Sequence, residues 1–174
     1  MAAKPSADLR IVALDGRHGR KGFTCGDESL DLYLKTQASQ DVRRKANAVF
    51  VLTGPSEQTW ILGCYTLCVM ALSQGDVPVA ARKHIPRYPL VSATLIGRLA
   101  VAKDRQGQRL GAVLLPDALQ RAVENASTAG SSMAVVDALD EAASGFYAAH
   151  GFVRLPGSLR LVLPMRLAGR MVEG

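Results

Sequence analysis

Long apolar runs are missing. Although 48% of the 174 residues are hydrophobic, no stretch holds the run of about eighteen apolar residues that a membrane helix requires. A transmembrane helix is excluded, and a soluble globular protein is expected. The N-terminal MAAKPSADLR has no apolar core and does not read as a secretory signal, so the expected location is the cytoplasm. Cysteine is scarce: Cys25, Cys64 and Cys68 are an odd set without metal-ligand spacing, read as reduced packing residues. Internal repeats and low-complexity tracts are absent. So are the complete phosphate motifs, the GK[ST] of a P-loop and the GxGxxG of a dinucleotide fold. Aromatics make up only 5% of the chain, and Tyr88 beside Arg87 is the only evident stacking platform for RNA. Acidic residues are outnumbered, 15 against 21 basic, for a net charge of +6. That balance favours polyanionic partners without identifying one, and a merely basic soluble enzyme accounts for it equally.

What is present reads as alternating strands and helices in one domain over residues 1–174. Leu9–Leu14 is a first strand, followed by the basic, glycine-containing loop Asp15–Gly22. Asp27 can cap a helix to about Arg44, with Leu30, Leu34, Ala38 and Val42 on one stripe and Asp31, Lys35, Asp41 and Arg43 on the other. Ala48–Leu52 and Trp60–Leu72 are strand-like, and the turn TGPSEQT between them suggests antiparallel pairing. Residues 74–90 carry three prolines and read as an extended connection. Leu95–Val101 is apolar on both faces except Arg98, as in a buried central strand, so Arg98 requires a partner or a route to solvent. A helix over Gln108–Asn125, a strand over Met133–Leu139, a short helix capped by Asp140 and stopped by Gly151, and closing strands around Pro156–Gly157 complete the chain. The expected class is α/β, a mixed and mostly antiparallel sheet with helices on its faces.

Two constellations carry possible chemistry. In DRQGQRLGAVL, a strand ends in a turn and enters a helix, pointing free backbone N–H groups outward where the helix dipole favours an anion. Gln106 to Ala112 would supply those groups, Gly107 and Gly111 would allow close approach, and Arg105 and Arg109 add charge. An ordinary helix start explains the same stretch. In the second, Phe146 and Tyr147 sit late on the helix after the last buried strand. Tyr147 has a phenolic proton and can act as a general acid; alternatively, both rings are core.

Together, RLAV (Arg98–Val101), QGQRLGAVLL (Gln106–Leu115) and VVDALDEAASGFYAAHGF (Val135–Phe152) resemble the GNAT superfamily of N-acetyltransferases, in order and spacing. The resemblance implies a GNAT-type sheet splayed at the cofactor site, and acetyl-CoA. It implies that Gln106, Gly107, Gln108, Arg109, Leu110, Gly111 and Ala112 hold the pyrophosphate. Leu99, Ala100 and Val101 would pair through their backbone with the pantetheine amides. Phe146 and Asp137 would line the other side of the cleft, and Tyr147 would protonate the leaving thiolate. A narrower set, FTCGDESLDLYLKTQASQDVRRKANAVFVL, GCYTLCVMAL and IPRYPLVSATLIGRLAV, resembles the TacT-like toxins of type II toxin–antitoxin modules. That implies acetylation of the α-amine of aminoacyl-tRNA, arrest of translation, a ribbon-helix-helix antitoxin (DUF1778-like) as partner, and a homodimer. Two departures stand out. Arg109 occupies the place of the first motif glycine, and is tolerated if it lies in the first helical turn, where φ is negative. Pro116 falls inside the helix and should kink or loosen it.

The chemistry agrees with an α-amine acceptor. No acidic residue lies in Leu90–Ala102 to serve as base. A lysine amine, with a pKa of about 10.4, would need one, whereas an α-amine near 7.7–8 already has a neutral fraction, increased by esterification of its carboxyl. Basic clusters recur at Arg17, Arg20 and Lys21, at Arg43–Lys45, at Arg82, Lys83 and Arg87, and at Arg154, Arg160, Arg166 and Arg170. Either phosphate contacts or solvated faces explain them. Arg82, Lys83, Arg87 and Arg98 are the candidate substrate or RNA contacts. The alternatives are a GNAT enzyme acting on a small-molecule amine or a protein N-terminus, and a degenerate acyl-CoA-binding module.

Overall fold

The computed structural model describes residues 8–55 and 58–174. The first seven residues of the N-terminal stretch, and Ser56 and Glu57 of the hairpin turn, lie outside the described residues. Seven strands form one mixed sheet in the order β1-β2-β3-β4-β5-β7-β6. They are β1 (Arg10–Ala13), β2 (Ala48–Thr53), β3 (Gly63–Ser73), β4 (Leu90–Val101), β5 (Met133–Asp137), β6 (Val153–Arg154) and β7 (Arg160–Pro164). The helices are α1 (Glu28–Thr36), α2 (Ala38–Arg44), α3 (Val79–Arg82), α4 (Gly111–Ala129), α5 (Glu141–Ala149) and α6 (Met165–Glu173). The β1–β2, β2–β3, β5–β7 and β6–β7 pairs are antiparallel, while β4 and β5 are parallel. None of the helices among the described residues is long and apolar enough to cross a membrane. The chain divides into two compact units, residues up to 67 with 98–117, and residues 68–97 with 118–174.

In the first unit, strand alternation sorts side chains onto two faces. Val49, Val51 and Cys64 join Leu34 and Ala38 of α1 and α2 in one apolar cluster. On the opposite face, Phe50 stacks on its cross-strand partner Tyr65 with centroids 5.3 Å apart, and Tyr65 donates to Asp117 of α4. Helices thus cover both sides of this part of the sheet. Asp27 caps α1 as expected, accepting from the Leu30 N–H at 3.0 Å.

The single helix expected to Arg44 is two helices. Thr36 turns its hydroxyl back onto the Leu32 carbonyl at 2.7 Å, a local bond that bends helices, and Gln37 widens to φ −115° between the two helices while staying in the αR region. Asp31 is not on a solvated stripe: it is 9% exposed and accepts from the Cys25 N–H and the Thr24 hydroxyl, both at 2.9 Å. Burial alone would raise its pKa, but the bonds from Cys25 and Thr24 outweigh that and leave it below the usual carboxylate value.

In the second unit, Leu72, Val91, Ala93, Met133, Val135 and Val162 form a core that Val77, Ala81 and Ile85 cover. The connection 74–90 is therefore not merely extended. It contains a 3-10 turn at Gln74–Asp76 and the short α3, whose apolar residues close this core. Asp140 caps α5 through the Ala143 N–H at 2.8 Å, and Gly151 takes the left-handed stop at φ 92°. The expected closing strand is present as β7, and after it the chain enters α6, which was not expected.

Candidate active site

The first unit holds the predicted anion turn. The rungs that β4 shares with β5 run from Ala93 to Ile96. Leu99, Ala100 and Val101 lie beyond them. Between the two stretches Arg98 takes φ 46°, and a left-handed residue inside a strand breaks the pleat and re-aims the residues after it. The Arg98 side chain finds its partner in Tyr33, with the guanidinium carbon 3.8 Å from the ring centroid. The Tyr33 hydroxyl donates to Asp41 at 2.9 Å. Arg98 is thus exposed and engaged in a cation–π contact.

After β4, a 3-10 turn at Lys103–Arg105 leads to the loop 106–110, and α4 begins at Gly111, three residues later than expected. Gly107 and Arg109 both take left-handed backbone, φ 83° and 59°. Arg109 therefore precedes the helix and does not benefit from the negative φ of a first helical turn. The alternation folds the loop so that Leu110 is buried, its carbonyl receiving Val113 and Leu114, while Gln106 to Arg109 are exposed. Val113 is the first residue whose N–H is taken at the start of α4, by the Leu110 carbonyl, so the N–H groups of Gly111 and Ala112 have no intrahelical acceptor. The first turn of α4 carries no acidic side chain. Unpaired N–H groups at a helix start, with Arg105 and Arg109 beside them, suit a pyrophosphate. The Gln106 side chain instead latches the loop in place, its amide donating to the Cys25 carbonyl at 2.8 Å and the Val101 carbonyl at 3.1 Å.

The second unit holds Tyr147, the residue expected to act as acid. The Tyr147 ring is buried at 6% exposure, edge-on to Phe146 (5.2 Å) and Phe152 (5.8 Å). Its hydroxyl has no hydrogen-bond partner among the described residues, yet no buried polar atom is left unsatisfied, so the oxygen reaches solvent. Burial, and then the Asp137 carboxylate, push its pKa up to about 12. The phenol stays protonated at neutral pH with an open path for its proton. Asp137, at the end of β5, is held by two bonds from Arg160 at 2.7 and 2.9 Å, a pairing the sequence did not announce because 23 residues separate them. Arg82 is exposed and donates to the Val77 and Gly75 carbonyls at 2.7 and 3.0 Å. Lys83 and Arg87 are exposed. The three cysteines are free thiols, and burial pushes Cys64 up to about 12.

The chain is similar to known acetyltransferases and toxins. Residues 57–154 match the model of the acetyltransferase (GNAT) domain. The tRNA-acetylating toxin of Mycobacterium tuberculosis is 32% identical over 151 residues, 86% of this chain and 88% of its own. The structure of AtaT complexed with acetyl-methionyl-tRNAfMet superposes with a TM-score of 0.85 at 30% identity, covering 94% of this chain and 99% of that one. A tyrosine-to-phenylalanine mutant of AtaT, bound to acetyl-CoA and the C-terminus of the antitoxin AtaR, gives a TM-score of 0.82 at 27% identity over 96% and 99% of the two chains. With the domain model spanning more than half of the chain and a relative 32% identical over 86% of it, the chain belongs to the GNAT family of acetyltransferases.

Proposed function

We propose that this protein is a toxin that moves the acetyl group of acetyl-CoA onto the α-amine of aminoacyl-tRNA and so blocks translation. On this reading it works in the cytoplasm as one GNAT domain over residues 1–174, and as a homodimer neutralised by a ribbon-helix-helix antitoxin. The observation that carries the chemistry is Tyr147: a phenol with a pKa near 12, seated in an aromatic pocket with its oxygen open. The tRNA-acetylating toxin, 32% identical over most of this chain, supports the substrate.

Acetyl-CoA supplies the acetyl group as a thioester. The N–H groups of Gly107–Ala112, with Arg109 and Arg105, would hold its pyrophosphate, and Leu99–Val101 would offer backbone partners to its amide arm. Phe146 and Asp137 would flank it. The attacking nitrogen must be neutral; no carboxylate lies in Leu90–Ala102 to take its proton, and an α-amine needs least help there. As the carbon–sulfur bond breaks, Tyr147 gives its proton to the departing sulfur and recovers one from solvent.

The test is incubation with labelled acetyl-CoA and charged total tRNA. Label should reach the aminoacyl group. Label confined to free small amines or to protein would remove the tRNA reading and leave an ordinary amine or N-terminal acetyltransferase.

A further inference from the structure

In the first unit a cavity of about 970 Å³ opens between the β1–α1 loop, the residues leading into β3 and the turn after β4. Backbone bonds tie these segments together. The Gly19 N–H donates to the Thr59 carbonyl (2.8 Å), the Lys103 N–H to Thr24 (2.7 Å) and the Ala102 N–H to Leu62 (2.8 Å). His18 is 6% exposed and accepts the Asp15 N–H on Nδ1 at 3.0 Å. Arg20 donates to the Asp15 carbonyl and to the Ser39 hydroxyl. The loop forming the wall is thus fixed by its own hydrogen bonds.

The wall is two-sided in character. Phe23 and Ile61, nearly buried, give an apolar floor, and Trp60 stands beside it with 63% of its surface exposed. Around them are Arg20, Lys21, Lys35, Lys103 and Arg105, against the single carboxylate of Asp104. None of the five cations has a carboxylate within 4.0 Å among the described residues. Five unneutralised cations over an apolar floor with an open indole match a ligand that is flat and apolar in one part and repeatedly anionic in another.

We propose that this cavity is a subsite for single-stranded RNA. One base stacks on Trp60, and the flanking phosphates lie on the cationic rim. The inference rests on the RNA-substrate reading above and adds where a part of that substrate away from the reacting amine is held. The charge exceeds what one terminal phosphate would neutralise, and it comes from three separate chain segments, as a strand crossing the mouth would use it. An exposed indole accepts any base by its face.

Trp60 is the only tryptophan in the chain, so intrinsic fluorescence reports on this cavity alone. Titration with unacylated tRNA, and with a short unstructured oligoribonucleotide, should quench it saturably; acetyl-CoA should neither quench it nor displace the oligonucleotide. Trp60→Ala should weaken tRNA binding by at least about fivefold, with Trp60→Phe close to the parent. Lys103→Gln should weaken binding and flatten its salt dependence. The KM for acetyl-CoA should not move in any of the three. Binding of tRNA with silent fluorescence and an unchanged Kd in Trp60→Ala overturns the proposal. So does quenching by acetyl-CoA that displaces the oligonucleotide, which would give the cavity to the cofactor's nucleotide. If charged tRNA is acetylated while Trp60 is silent, the subsite falls and the acetylation reading stands. Quenching by RNA without acetylation of any charged tRNA reverses that outcome.

Discussion

Tyr147 and Arg109 place opposite demands on their surroundings. Tyr147 gains from burial: its neutral form is favoured, first by desolvation and then by the Asp137 carboxylate, up to about 12. A general acid is lost as pH rises through its pKa, so this shift moves the loss upward. Turnover should therefore show no alkaline decline below about pH 10, while its rise near neutrality tracks the acceptor amine. Tyr147→Phe keeps the ring packing and removes only the proton. It should lose about 10²- to 10⁴-fold in kcat while acetyl-CoA affinity, measured by calorimetry, is unchanged; full turnover would remove Tyr147 from the acid role. Arg109 instead carries a conformational cost, since a non-glycine residue at φ 59° is disfavoured by about 1 kcal/mol. Arg109→Gly removes that cost and adds back a similar entropy loss. Its Tm should not fall, whereas acetyl-CoA binding should weaken severalfold if the guanidinium faces the pyrophosphate. A lowered Tm with unchanged Kd would instead make Arg109 a structural residue of the loop.

At the scale of elements, the start of β3 fixes the end of β4 against α4. A Cβ at Gly63 would come within 2.9 Å of the Ala100 carbonyl oxygen and 2.9 Å of a Leu114 methyl. Leucine can shift, but a strand carbonyl cannot move alone, so Gly63→Ala should cost about 1–3 kcal/mol by overpacking. Thermal melting would read it, and acetyl-CoA affinity should drop with it, because Ala100 belongs to the strand proposed to meet the amide arm. A variant as stable as the parent would show that the junction has room. The same scale shows what could be seen in the sequence. Asp27, Asp140 and Gly151 mark helix ends through bonds to neighbours three or four residues away, and those marks were legible. The left-handed Arg98 and Arg109 were not, because both depend on where the chain goes next. The start of α6 was hidden for a related reason: Pro164 ends β7 and occupies the N-cap position of the helix, with no turn residues between them. The motif order around Tyr147 and the turn was visible, but the Gln106 latch and the Asp137–Arg160 pair join distant positions and emerged only in the fold.

Across the whole molecule, the +6 charge carries function only where it remains unpaired. Arg17 and Arg154 are tied to Asp15 and Glu141 at 2.8 and 2.7 Å, Arg160 to Asp137, and Arg82 to backbone carbonyls. Lys21, Lys35, Lys103 and Arg105 have no ion-pair partner within 4.0 Å among the described residues and line one cavity, beside Arg20, which is itself held by the Asp15 carbonyl and Ser39. A protein that holds RNA through such a set releases counterions on binding, and log affinity falls by about 0.7 per single-strand phosphate for each unit of log salt. The apparent second-order rate on charged tRNA should therefore fall with a log–log slope steeper than about −2 between low and physiological salt. The same slope for acetyl-CoA should be shallower, since its pyrophosphate is met largely by uncharged N–H groups. Neutral substitution at Lys21 and Lys103 together should flatten the first slope and leave the second in place. Equal slopes for the two substrates would mean that the positive field acts diffusely, without a phosphate-holding surface in this cavity.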